Sequence, residues 1–439
     1  MMAHHPENMP GPESLVSLDC RRRFGKVVHL AGNIIEAAGL RASLGEICRI
    51  IPGNDHPPIF AEVVGFRKKQ LKLSPLTPLR GIGPGDLVET HRRASHMEVN
   101  DALLGRILDG MGQPLDGKGP LGRGVAYPLA GIMTNSLDRP LIGEQLDVGI
   151  RCINGLLPVG KGQRMGIFSG SGVGKSTLLG MIAKYTTADV NVIALIGERG
   201  REVNEFIAHE LGPEGLARSV LIIATSDQPA TVRMRGAYLA CAVAEYFRDR
   251  GRDVLFMMDS VTRFAMAARE VYLSAGEPPT NKGYTPGVFA QLPQLLERAG
   301  NFPEASITGI YTVLVEGGDM EDPIADSVRS ILDGHVVLDR KLTHKHHYPA
   351  IDVLSSVSRL SGRLLTEVQR DRVARFVQML SRYHEVEDMI QIGAYSPGLD
   401  SKTDEAVNHI DQLNAYLRQG VGERCTIEMA QRNLESLFA

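Results

Sequence analysis

Ser169-Gly170-Ser171-Gly172-Val173-Gly174-Lys175-Ser176-Thr177 is the stretch on which the reading of this chain turns. It follows the apolar run Met165–Phe168 and precedes Leu178, Leu179, Met181 and Ile182. That order reads as strand, loop and helix, the context that a phosphate-binding loop requires. Glycines let successive backbone N–H groups turn inward around a β-phosphate, and the helix behind adds its positive end. Lys175 is placed to reach β- and γ-phosphates, and the Ser176 hydroxyl to ligate Mg²⁺. All nine residues from Ser169 to Thr177 are therefore candidates for holding ATP. The usual pattern opens with glycine where this chain has Ser169, a variant that Gly170 and Gly172 make tolerable.

On either side of the loop, apolar runs alternate with helical stretches. The strand candidates are 165–168, 190–196, 220–224, 254–258, 307–315 and 336–338. Strands this uniformly apolar, with helices between them, predict a mostly parallel sheet covered on both faces. Val203, Phe206, Ile207 and Leu211 share a helical face. Ligands of such sheets gather at the carboxyl ends of the strands, and two acids fall there. Asp259 closes Val254–Met258, and an acid after a buried run is costly unless used. A place behind Mg²⁺, through ordered water, accounts for it. Glu198 closes the run Ile193–Gly197 and is the candidate for polarising the attacking water. An ion pair with Arg199 or Arg201 is the competing reading.

The flanks differ from this centre. From about residue 24 to 93, short β-rich runs alternate with Gly and Pro, which predicts a small β-barrel. From about residue 362 the chain reads as helices, with Val407, Ile410, Leu413 and Leu417 on one stripe. The expected domains are a flexible segment 1–20, a barrel 21–95, a RecA-like α/β P-loop NTPase domain 96–350 and a C-terminal helical domain 351–439. A net charge of −3 gives no general attraction to nucleic acid or anionic membranes. Five scattered cysteines make a poor disulfide framework and fit a reducing compartment. No apolar run reaches the ~18 residues of a membrane span, and no signal peptide is visible.

Three segments carry a family resemblance. Gly197-Glu198-Arg199-Gly200-Arg201-Glu202-Val203, the phosphate loop, and Pro349-Ala350-Ile351-Asp352 running on to Ser356-Val357-Ser358-Arg359 resemble the catalytic subunits of rotary ATP synthases and the type III protein-export ATPases. Leu104-Gly105-Arg106 with Asp116-Gly117 resembles that family's join between barrel and motor domain. Together these cover about residues 25 to 439. The resemblance implies an ATP hydrolase that uses Mg²⁺ and works as a homohexameric ring. In it Lys175 and Ser176 hold phosphate and metal, Glu198 activates water, and Arg199 and Glu202 support the site, Glu202 beside the metal. Arg263 faces the γ-phosphate region, Tyr348 stacks on adenine, and Tyr383 is a weaker second wall. Arg359 matches the arginine finger, which acts on nucleotide held by the neighbouring subunit. His344, His346 and His347 read as a loop that sets Tyr348, with a metal site as the competing reading.

Within the family, Gly200, Asp322-Pro323-Ile324-Ala325-Asp326-Ser327 and Ile331-Leu332-Asp333-Gly334-His335 resemble the export branch. Gly393-Ala394-Tyr395 resembles its flagellar members in particular. Glu316-Gly317-Gly318-Asp319 departs slightly from the family's usual Glu-Gly-Asp-Asp. The resemblance implies a stator-like regulator at the N-terminus, a central stalk-like protein, export-gate membrane proteins and chaperone–substrate complexes as partners. It also implies a cytoplasmic place at the inner face of the inner membrane, reached through partners. Flagellar export is the expected role, with a virulence-type injectisome as the alternative. A Rho-like nucleic-acid motor is remoter, because the barrel zone offers few aromatics and no tryptophan exists on which bases would stack. A non-catalytic ring subunit is disfavoured by Glu198.

Overall fold

The computed structural model describes residues 23–53, 56–92, 96–131, 135–398 and 400–438. The segment 1–20, and with it the expected regulator site, lies outside the described residues. The chain divides into two compact units, Met1–Ala94 and Ser95–Ala439.

In the first unit, β1 (Phe24–Ala31), β2 (Ile34–Ala38), β3 (Ile47–Ile51), β4 (Ile59–Arg67), β5 (Gln70–Pro75) and β6 (Leu87–Arg92) close into a barrel in the order β1-β2-β5-β4-β3-β6. Period-two placement of Ile35 and Ala37, of Cys48 and Ile50, and of Ile59, Ala61 and Val63 fills its interior. Closure leaves no unpaired edge. Strand β2 went unread in the sequence. It pairs with β1 across a two-residue turn in which Gly32 adopts a φ of +56°, a conformation glycine reaches without strain.

The second unit is built on β7 (His96–Val99), β8 (Ile107–Asp109), β9 (Val125–Pro128), β10 (Arg164–Ser169), β11 (Val190–Ile196), β12 (Ser219–Ala224), β13 (Val254–Asp259), β14 (Gly300–Asn301), β15 (Ser306–Leu314), β16 (Gly334–Leu338) and β17 (Ile351–Ser358). The main sheet runs β17-β16-β10-β15-β13-β11-β12-β8, parallel except for β17, with β14 off this path. Its middle strands are buried along nearly their whole length because both faces are covered. Val190, Val192, Ala194 and Ile196 of β11 enter one core, and Ile193 and Leu195 enter the other. β12 and β13 alternate in the same way. The helix Ala230–Asp249 covers the first face, and the helix Lys175–Tyr185 covers the second.

Three readings of the sequence are corrected. The region assigned to a helical domain from residue 351 begins with β17, which belongs to the central sheet and pairs antiparallel with β16. Val203, Phe206 and Leu211 do bury together, but on two different helices: an α-helix Gly200–Glu205 passes into a π-helical turn Phe206–Leu211. The stripe of the helix Ser401–Leu417 runs through Ala406, Leu413 and Leu417 with Ile410 packed half-buried against them, and of the expected four only Val407 lies beside it. That stripe meets Phe376, Met379 and Leu380 of the helix Glu367–Gln391, on the same face of the sheet as the phosphate loop's helix.

Candidate active site

Strand β10 ends at Ser169, and the loop returns into the helix Lys175–Tyr185. Gly172 and Gly174 take φ of +75° and +89°, where side chains are strained. Ser169 is not among the left-handed residues, which explains why serine serves there. Its hydroxyl is buried and unpaired. Arg340, just beyond β16, donates from Nη2 to the Ser171 carbonyl at 2.9 Å. Fixing one carbonyl outward favours N–H groups turned inward.

Lys175 lies at the carboxyl rim between two acids. Its Nζ donates to Asp259 Oδ1 at 2.5 Å and stands 3.7 Å from Glu198 Oε1. Thr312 of β15 donates its hydroxyl to the same Asp259 oxygen at 2.7 Å. Burial pulls the lysine's pKa down, but Asp259 and Glu198 outweigh it and raise it on balance. Burial, then the Asp259 charge, pushes the Glu198 carboxyl up to about 7, against the pull of Lys175. Glu198 Oε1 is buried without a hydrogen-bond partner. Burying a carboxylate oxygen without a hydrogen bond is costly, and the Lys175 ammonium 3.7 Å away offsets part of that cost.

The other expected residues divide into those that gather here and those that do not. Arg263 follows Asp259 by one helical turn; its Cβ would crowd a side chain at Gly197, and its charge acts on Glu198. Its Nε is buried and unpaired. Glu202 reaches the site through Glu198, with which it shares a hydrogen bond. Arg199 is exposed and pairs with Glu202 at 3.5 Å. Ser176 is exposed on the first helical turn, whereas Thr177 gives its hydroxyl to Glu210 at 2.9 Å. The Tyr348 ring, 46% exposed, lies against the loop: a Cβ at Gly174 would sit 3.9 Å from it. Its carbonyl accepts from the Gln419 N–H at 2.9 Å. Tyr383 packs half-buried in the core beside His384. Among the described residues no group of three or more His, Cys, Asp or Glu gathers as a metal site, the three histidines before Tyr348 included.

Arg359 does not join the cluster. β16 runs parallel to β10, with Ser169 beside Leu338. β17 runs back, pairing Ile351 with Leu338 and Ser358 with Gly334. Arg359 therefore stands at the amino rim, about 17 Å along the sheet from the loop at ~3.3 Å per residue. Its Nη2 donates to the Arg329 carbonyl at 3.2 Å.

Sequence reasoning missed Arg340, Thr312, Glu210 and Gln419. Each acts from a distant segment, and only Arg340, two residues past a strand's carboxyl end, had a position that could have signalled it.

The donors and acceptors fit Mg²⁺ with a triphosphate: a loop with left-handed Gly172 and Gly174 ahead of a helix, a lysine, an exposed hydroxyl, and an aspartate fixed by Thr312. Residues 149–358 match the model of the ATP synthase alpha/beta family, nucleotide-binding domain, and residues 365–436 that of the T3SS EscN ATPase C-terminal domain. The chain is 51% identical to the flagellum-specific ATP synthase of Bacillus subtilis, over 95% of this chain and 96% of that one. It is 46% identical to the type 3 secretion system ATPase of Xanthomonas euvesicatoria, over 96% of each. The assembled ATPase EscN of enteropathogenic E. coli, solved with its central stalk EscO, superposes with a TM-score of 0.87 at 42% identity, covering 94% of this chain and 100% of that one. An ATPase site on a RecA-like sheet, in a chain this similar along its length, places it: the chain belongs to the family of flagellum-specific ATP synthases and type III secretion system ATPases.

Proposed function

We propose that this ATPase drives flagellar protein export as a homohexameric ring, with each nucleotide held between two copies. One observation carries the reading: the cradle, Glu198 and Asp259 share one rim of the sheet, whereas Arg359 stands on the other. A guanidinium so far from its own cradle fits a finger that serves a neighbour's. Lys175 then leaves Asp259 for the β- and γ-phosphates, and the Tyr348 ring covers the base. Glu198, facing Lys175 and Arg263, orients water against the γ-phosphate and takes up its proton. Ser176 and Asp259 would hold Mg²⁺, which when bound neutralises charge on the phosphates. Arg359 of the adjacent copy stabilises the charge that develops in the transition state, a contribution of ~10³–10⁵ in rate for such fingers.

The partners follow from relatives. EscN assembles and binds a central stalk, so a ring with a stalk-like partner is proposed here too. Export-gate proteins, chaperone–substrate complexes and a regulator at segment 1–20 complete the set. Among the described residues no helix is long and apolar enough to cross a membrane. We place the ring at the cytoplasmic face of the inner membrane, held by those partners. The flagellar relative's higher identity, 51% against 46%, favours the flagellum over the injectisome. A deletion strain should lose swimming, regained with the wild-type chain and not with Lys175→Ala. Swimming restored by Lys175→Ala would overturn the proposal.

A further inference from the structure

The amino rim holds a polar network that hydrolysis does not touch. Gln163, fully buried just before β10, accepts the Gly160 N–H at Oε1, 2.8 Å. From Nε2 it donates to the Asp333 carbonyl at 3.1 Å and to Ser358 Oγ at 3.1 Å. Ser358 in turn donates to the Pro158 carbonyl at 2.7 Å. The Asp333 carbonyl also takes the backbone N–H of Arg359 at 3.0 Å. Its carboxylate is held in place by the Arg164 N–H at 3.1 Å, Nε at 3.0 Å and Nη2 at 3.1 Å. A buried amide would be replaced by leucine if filling space were all that mattered here. A polar network satisfied at every member is rigid. Besides the Gly160 N–H and the Met165 sulfur, it grips Asp333 and Ser358, and both adjoin the peptide N–H of Arg359.

We infer that Gln163 and Asp333 are positioning residues for Arg359, fixing the point at which its guanidinium meets nucleotide on an adjacent copy. The inference rests on the proposed action of Arg359 across the subunit boundary. Only the finger is affected when the network is cut, because the cradle lies on the other rim.

Complementation between variants tests this. Gln163→Leu should lower kcat by about tenfold or more, within the ~10²-fold that a 1 Å misplacement costs. KM for ATP and nucleotide binding by dilute protein should stay within about twofold, since ground-state contacts are kept. Mixing Gln163→Leu with Glu198→Gln should restore activity, because cradles of the first meet intact fingers of the second. Mixing it with Arg359→Ala should restore nothing. Rescue by Arg359→Ala instead, or rescue by neither, would overturn the inference. If Gln163→Leu does not fold, Ser358→Ala, which removes the hydroxyl that Gln163 holds, should give the same pattern with a smaller loss; a normal rate would count against it. Full activity in Arg359→Ala would refute the action across the boundary and this inference with it. A slow Arg359→Ala beside a normal Gln163→Leu would refute the inference alone.

Discussion

Buried beside Asp259, with one oxygen unpaired, Glu198 is the side chain whose chemistry the fold changes most usefully. Its carboxyl is pushed from an ordinary 4.5 up to about 7 by burial first and the Asp259 charge second. A base with that affinity for protons suits work near neutral pH. The folded form therefore binds this proton more tightly than the unfolded chain does. The favourable contribution is complete below about 4.5 and is lost as pH rises to about 7. Glu198→Gln removes the ionisation. Its Tm should exceed that of the wild type at about pH 8, and the gap should narrow toward about pH 5. Hydrolysis should fall by about 10²–10⁴. Equal melting at both pH values would show that Glu198 does not titrate there. The sequence made this residue legible because it ends an apolar run beside an arginine-rich turn. Thr312, the partner of Asp259, was not legible, since nothing local marks one threonine of β15 as the residue that meets that acid.

Among elements, the central strands were readable because burial on both faces leaves few polar residues to break the run. β17 was not: Asp352, Ser355 and Ser356 make it look like loop. In the structure those side chains bond within their own segment and to β16, Ser355 Oγ donating to Asp352 Oδ2 at 2.5 Å and Ser356 Oγ accepting from the Val337 N–H at 2.9 Å. The short β8, at the other end of the sheet, has a similar history. It went unread; the family motif marked Arg106 and Asp116 beside it as a join between domains, not as a strand. The pair is two-pronged and nearly buried, Nε to Oδ2 at 2.7 Å and Nη2 to Oδ1 at 3.0 Å. Asp116 also accepts the Ile107 and Lys118 N–H groups, and Arg106 holds its carboxyl well below the usual range. Asp116→Ala removes both prongs and the two backbone acceptor bonds, leaving Arg106 the Gly119 carbonyl, and should lower the urea unfolding midpoint. An unchanged midpoint would mean the pair is as weak as a solvated one.

For the whole molecule, the sequence supplied the parts of the site but not their compass directions. Arg359 was recognisable from the motif around it; that it faces away from its own cradle depends on which way β17 runs, and no local residue states that. In the proposed ring, head-to-tail contacts would set one copy's cradle against the next copy's finger. Arg359→Ala and Glu198→Gln chains should each be nearly inactive alone. Mixed evenly, about one boundary in four joins an intact cradle to an intact finger, and ATPase activity should partly return. No recovery would argue for a finger acting on its own chain. The doubling back of β17 has a further effect on this reading. If the finger serves only a neighbour, as proposed, a lone copy would carry its guanidinium on the wrong side for its own fuel, and ATP expenditure would begin only where copies are brought together.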